Sequence, residues 1–145
     1  LLAAGTEVTR PASILAENHL HLVMHDIAVA QDGMTMPGEE HVRALLDFAY
    51  RWDRVKPMVV HCYAGISRST ASAYIIAAAL APKRNEAELA KTLRFLSPSA
   101  TPNSRLIAVA DTLLGRDGRM IAAIESIGRG AEAFEGTPFE LTLEN

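Results

Sequence analysis

The residues best suited to chemistry lie in one ten-residue stretch, His61-Cys-Tyr-Ala-Gly-Ile-Ser-Arg-Ser-Thr70, which holds the one cysteine of the chain. Cys62 ends a short apolar run, and Arg68 follows six positions later at the start of an alanine-rich segment. A strand–loop–helix turn of this length can wrap its backbone N–H groups around an anion, and the helix amino terminus adds positive potential. The sequence therefore predicts a phosphate-binding loop with a thiol at its floor.

The residues of this loop favour a reactive thiol. Backbone donors and the charge of Arg68 stabilise a thiolate, so the pKa of Cys62 should fall and a nucleophile should exist at neutral pH. The planar guanidinium of Arg68 can hold two phosphoryl oxygens, and Ser69 can donate its hydroxyl to the departing sulfur. Cys62, Arg68 and Ser69 are thus candidate catalytic residues, with His61 as structural support. The predicted phosphate-binding loop comprises Tyr63, Ala64, Gly65, Ile66, Ser67 and Arg68.

A structural role for the cysteine is the competing interpretation. Cys62 could be an inert buried thiol next to an ordinary arginine that begins a helix. The coincidence of histidine, glycine and arginine at these offsets from the single cysteine disfavours that interpretation.

Composition narrows the remaining possibilities. The chain has 145 residues, of which 49% are hydrophobic and 21% charged, which fits a single domain spanning residues 1–145. A formal net charge of −3 gives no electrostatic footprint for nucleic acid or an anionic membrane surface, so neither is an expected partner. A lone cysteine excludes an intrachain disulfide framework and favours a reducing, cytoplasmic location.

Hydrophobic periodicity predicts an α/β domain whose sheet is covered by helices. The period-two pattern of His19–His25 predicts a strand, and the apolar run Pro57–His61 predicts a buried strand that leads into Cys62. The apolar residues of the tail, residues 128–145, are expected to pack back on the domain. Helical spacing predicts five helices, over Glu39–Trp52, Arg68–Leu80, Glu86–Phe95, Asn103–Leu114 and Met120–Ile127.

The motif His61-Cys62-x5-Arg68-Ser69 resembles the signature of the cysteine-dependent protein tyrosine phosphatases, and it is most similar to the small dual-specificity branch. Ser97-Pro-Ser-Ala-Thr-Pro-Asn103 is similar to a proline–asparagine segment of that branch. The resemblance covers about residues 20–114 and implies a central, mostly parallel sheet flanked by helices. It also implies hydrolysis of a phosphorylated protein or small phosphoester through a phosphocysteine, without a metal or cofactor. Asn103 would then help to hold the phosphate loop, although a plain helix cap is an equal alternative.

The reaction also needs a carboxylic acid to protonate the leaving oxygen. In the family this acid is an aspartate on a mobile loop upstream of the nucleophile, and two aspartates here are candidates. Asp26 directly follows the predicted strand His19–His25 and is favoured. Asp32 belongs to an Asp-Gly pair that is typical of a turn, and it is the alternative.

The sequence is also compatible with two other functions. A phosphate-recognition module could keep the loop and lack turnover, and a phosphatase could act on a non-protein ester. The loop residues between Cys62 and Arg68 carry no charge, which modestly disfavours highly anionic inositol phosphates. A metal site on the shared face of His19, His21 and His25 is disfavoured, because alternating histidines are more often the polar side of a strand.

Overall fold

A computed structural model of the protein describes residues 1–143, so Glu144 and Asn145 of the predicted tail lie outside the described residues. The predicted helices are confirmed, with bounds that shift by no more than two residues. Ala16–Asn18 adds a single 3-10 turn. None of the helices in this part of the chain combines the length and hydrophobicity needed to cross a bilayer. The five helices are α1 (Glu39–Tyr50), α2 (Arg68–Leu80), α3 (Glu86–Leu96), α4 (Ser104–Leu113) and α5 (Arg119–Ile127).

Helix α2 is the centre of the core. Its alanine-rich sequence is apolar nearly all round, and it packs against α1, α3 and α4. Tyr74 and Ile75 in its middle are fully buried. Since small alanine side chains let neighbouring helices approach closely, α2 is held on several sides, and the loop that precedes it is anchored to the core.

The α/β prediction is wrong for the described residues. No strand or sheet forms within residues 1–143, and the regular structure there is helical. The segments predicted as strands, His19–His25 and Pro57–His61, form no ladder. One isolated parallel bridge joins Leu2 to Val23, the N–H of His25 donates to the Thr35 carbonyl, and the Leu1 amino group donates to the His61 carbonyl. The central, mostly parallel sheet that the family resemblance implied is therefore absent from this part of the chain.

Period-two burial explains why these segments resemble strands in sequence. Leu22 and Met24 are buried whereas Val23 between them is 40% exposed. Likewise Val60 packs against the core whereas Val59 is 80% exposed. An extended segment that lies on a helical core alternates in this way whether or not its backbone pairs with a neighbour. The pattern thus predicted the alternating burial, but the predicted strands are wrong because no ladder of hydrogen bonds forms.

A buried ion pair joins α3 to the turn before α5. Glu86 Oε1 accepts from Arg116 Nη1 at 2.8 Å and from Arg119 Nε at 3.1 Å. The second terminal nitrogen of Arg116 donates to the Ala78 carbonyl of α2, and the Tyr74 hydroxyl donates to the Glu86 carbonyl. Burial alone would raise the pKa of the Glu86 carboxyl, but hydrogen bonds with both arginines and its own backbone N–H hold that pKa below its usual value.

Replacing Arg116 should destabilise the fold strongly. Arg116→Ala leaves the Glu86 carboxylate buried without its main partner, which should lower the free energy of unfolding by about 3–5 kcal/mol in urea titrations at neutral pH. Lys91→Ala is the control, because it breaks an exposed pair with Glu88 of the same 2.8 Å length and should cost about 0.5 kcal/mol at most. Equal losses in the two variants would contradict the assignment.

Candidate active site

The loop between Cys62 and α2 is held from its outer side through its carbonyl groups. The Ile66 carbonyl accepts from the backbone N–H of Thr101 at 2.9 Å and from the Thr70 hydroxyl at 2.6 Å. The Ser67 carbonyl accepts from the backbone N–H of Asn103 at 3.2 Å and also from Thr70. These contacts come from α2 itself and from the segment before α4, so both fix the loop.

The backbone N–H groups of the same loop remain available. Within residues 1–143, the N–H groups of residues 63–67 have no hydrogen-bond partner except that of Gly65, which faces the Cys62 sulfur. Gly65 has a φ of +71°, which other residues adopt only with strain, and this value permits the tight turn around the sulfur. Bonded carbonyls together with N–H groups that lack partners are the arrangement expected of an anion-binding loop.

Cys62 lies at the base of this loop and is 8% exposed. Its sulfur is 3.2 Å from the Ser69 hydroxyl oxygen. Burial, the largest influence, raises the pKa of the thiol, whereas hydrogen bonds from the Ser69 hydroxyl and from the N–H groups of Ser69 and Gly65 lower it. The positive charge of Arg68 lowers it further, and the pKa of Cys62 lies below its ordinary value overall. The thiolate is therefore easier to form than in an ordinary cysteine, which is the direction that a nucleophile requires.

Arg68 is the first residue of α2 and is 8% exposed, which is rare for an arginine. Its Nη1 donates to the Met24 carbonyl at 2.9 Å. Its Nε is buried and has no hydrogen-bond partner among the described residues. A buried guanidinium N–H without a partner is costly. Arg94 Nε shares this property, but only Arg68 Nε belongs to the loop that carries the free N–H groups, so it can donate to an acceptor bound there.

Asp26 lies against the loop through one of its two oxygens. Its Oδ1 accepts from the Ser67 hydroxyl at 2.6 Å and from Asn103 Nδ2 at 2.9 Å. Its Oδ2 has no hydrogen-bond partner within residues 1–143. Asn103 also donates to the Ile27 carbonyl and caps α4 by accepting from the N–H of Leu106, so it serves both as a helix cap and as a support for the acid.

The two remaining candidates from the sequence lie differently. Asp32 sits in an exposed Gln31–Met34 turn, and its side chain makes no hydrogen bond or ion pair with the rest of residues 1–143. His61 lies next to Cys62, with its Nδ1 3.2 Å from the Cys62 carbonyl. The structure thus brings Asp26 to the loop and leaves Asp32 outside it.

Two contributors to the site were not found by sequence reasoning. The Met24 carbonyl that holds Arg68 is a backbone group, for which the sequence carries no signal. Thr101 binds the loop through its backbone N–H and was seen only as part of a turn before α4. The Ser67 hydroxyl was assigned to the phosphate loop, but its bond to Asp26 joins positions 41 residues apart, beyond the reach of local patterns.

Comparisons with protein-family models, with curated proteins and with solved structures found no match for the chain. The geometry itself shows what the site can do chemically. A thiol with a lowered pKa, an unpaired guanidinium nitrogen, free N–H groups and a carboxylate with one free oxygen all lie on one loop or on residues that touch it. Together they can bind an anion next to a nucleophile and a proton donor.

The bond from Ser69 predicts a measurable shift in thiol reactivity. Ser69→Ala removes a hydrogen bond that stabilises the thiolate, so the pKa of Cys62 should rise and the pH profile of iodoacetamide alkylation should move to higher pH. Ser72→Ala is the matched control, because its hydroxyl, also in α2, donates to the Arg68 carbonyl and does not touch the sulfur. Identical profiles for Ser69→Ala and the unchanged protein would refute this role.

Proposed function

We propose that the protein is a metal-independent phosphomonoester hydrolase that acts through a phosphocysteine intermediate. The observation that carries this proposal is the buried Arg68, whose Nε lacks a partner among the described residues, next to a cysteine whose pKa is lowered. A tetrahedral dianion such as a phosphoryl group supplies acceptor oxygens for both the guanidinium and the free N–H groups of the loop. The resemblance of the motif to cysteine-dependent phosphatases supports the same conclusion.

In the first step, the Cys62 thiolate attacks phosphorus and forms an S–P bond while the bond from phosphorus to the leaving oxygen breaks. Asp26, through its free Oδ2, donates a proton to that oxygen, so the product leaves as an alcohol or phenol. Arg68 and the loop N–H groups stabilise the charge on the other three oxygens of the transferring phosphoryl group. This step leaves Asp26 as a carboxylate.

In the second step, water opens the phosphocysteine. The Asp26 carboxylate accepts a proton from water as the water oxygen bonds to phosphorus, and the S–P bond breaks. The Ser69 hydroxyl, 3.2 Å from the sulfur, stabilises the thiolate that leaves. Phosphate is released and both groups return to their starting states.

An exposed aromatic residue of the loop supports the proposed substrate class. Tyr63 is 83% exposed and offers an aromatic surface beside the loop, which suits the side chain of a phosphorylated protein or a small aryl phosphate. The thiolate must remain reduced to act, so a reducing, cytoplasm-like compartment suits the reaction.

The full chain should hydrolyse an aryl phosphate in the presence of a chelator, and Cys62→Ser should abolish turnover while still binding inorganic phosphate. The serine hydroxyl is a weak nucleophile without an adjacent base, but the loop N–H groups and Arg68 remain. Release of phosphate by colorimetric assay and binding by calorimetry are the measurements. A protein that binds phosphate with no turnover would be a recognition module, and retained turnover in Cys62→Ser would exclude the mechanism.

The two aspartates give a direct comparison. Asp26→Asn removes the proton donor and should lower kcat by about 10²–10⁴-fold, whereas Asp32→Asn should leave kcat unchanged. A larger loss in Asp32→Asn than in Asp26→Asn would reverse the assignment of the general acid.

A further inference from the structure

The start of the chain after α5 is held in place by hydrogen bonds from Arg94. Arg94 of α3 donates from Nη1 to the Ile127 carbonyl at 2.6 Å and from Nη2 to the Gly128 carbonyl at 2.8 Å. The same Nη2 donates to the Ala100 carbonyl at 3.0 Å. One guanidinium thus ties the end of α5 to the segment before α4, so the following residues start next to the supports of the phosphate loop.

Residues 128–136, here the C-terminal segment, then run along those supports. The N–H of Gly130 donates to the Thr101 hydroxyl at 3.0 Å, and the N–H of Ala131 donates to the Pro98 carbonyl at 2.8 Å. A Cβ at Gly130 would lie 2.5 Å from the Ser99 carbonyl carbon, so the two backbones are in direct contact. Since Thr101 also binds the loop through its own N–H, the C-terminal segment supports the loop indirectly here.

At Gly136 the C-terminal segment reaches the phosphate loop itself. The N–H of Gly136 donates to the Ala64 carbonyl at 2.7 Å. A Cβ at Gly136 would lie 2.4 Å from the Gly65 carbonyl oxygen and 3.2 Å from the Gly65 carbonyl carbon. These are backbone atoms, which cannot rotate away as the end of a side chain can, so only glycine fits at this position.

The bond from Gly136 determines the direction of one catalytic donor. The Ala64 carbonyl and the Gly65 N–H belong to one planar trans peptide and point in opposite directions. Holding the carbonyl outward therefore holds the N–H inward, where the Gly65 N–H meets the Cys62 sulfur and stabilises the thiolate.

We propose that Gly136 is a positioning residue, which orients the Gly65 N–H toward the Cys62 sulfur through the shared peptide plane and so keeps the phosphate loop in its binding conformation. The proposal rests on the proposed function for its effect on catalysis. Its effect on the thiol depends on geometry alone. Gly136 thus supports the active site from outside, through its contact with the loop backbone.

The test compares Gly136→Ala with Glu135→Ala, an adjacent exposed position, in the full chain. Gly136→Ala should shift the pH profile of iodoacetamide alkylation of Cys62 to higher pH. It should also lower kcat/KM for an aryl phosphate by about 10²-fold, as displacement of a catalytic group by about 1 Å does. Glu135→Ala should match the unchanged protein in both measurements. Circular dichroism and urea unfolding show that the variants compared are folded.

If Gly136→Ala does not fold, a second variant tests the same proposal. Thr101→Val removes the hydroxyl that accepts from Gly130 but keeps the N–H that binds Ile66, so it should shift the alkylation profile in the same direction by less. Folded variants whose alkylation profiles equal that of the unchanged protein would overturn the proposal. A shifted profile in a chain that does not hydrolyse the aryl phosphate would support the orienting role and overturn the proposed hydrolase.

Discussion

A positive charge is buried at the start of α2 with no carboxylate paired to it among residues 1–143. Arg68 is 8% exposed, forms no ion pair there, and has one hydrogen bond to the Met24 carbonyl. Burying an unpaired charge is among the costliest arrangements in a protein, and it persists only where the surrounding structure holds it in place. The packing of α2 and the extended segment around Met24 supply that restraint, and both lie on the core.

The remaining parts of the site are arranged around this charge. The loop carbonyls bond to Thr70, Thr101 and Asn103, the Gly65 N–H bonds to the Cys62 sulfur, and the other N–H groups of residues 63–67 have no partner among residues 1–143. An anion bound there would pair with the guanidinium and the N–H groups at once. In the folded chain, Arg68 Nε and the loop N–H groups thus lack hydrogen-bond acceptors, and a bound anion would supply them.

The helices and the position of the loop between Cys62 and α2 could be predicted from sequence because both depend on local patterns. Apolar spacing marks α1 to α5, and the offset between Cys62 and Arg68 depends only on one short turn. The prediction of a sheet was wrong because alternation reports burial, whereas pairing depends on a neighbouring strand that alternation does not reveal. Support from backbone groups, as at Met24, leaves no trace in residue types. Gly136 must be glycine only because the Gly65 carbonyl lies against it, which the sequence does not reveal.

The hydrogen bonds of Asp26 hold the proposed acid in place in the folded chain. Its Oδ1 is bonded to the Ser67 hydroxyl and to Asn103, which caps α4, so the acid is attached to two helix starts rather than to a free loop. A carboxylate on a mobile loop would lose conformational freedom in every catalytic cycle. Here that entropy is lost once, during folding, and in the proposed reaction the acid would be in place before the substrate arrives.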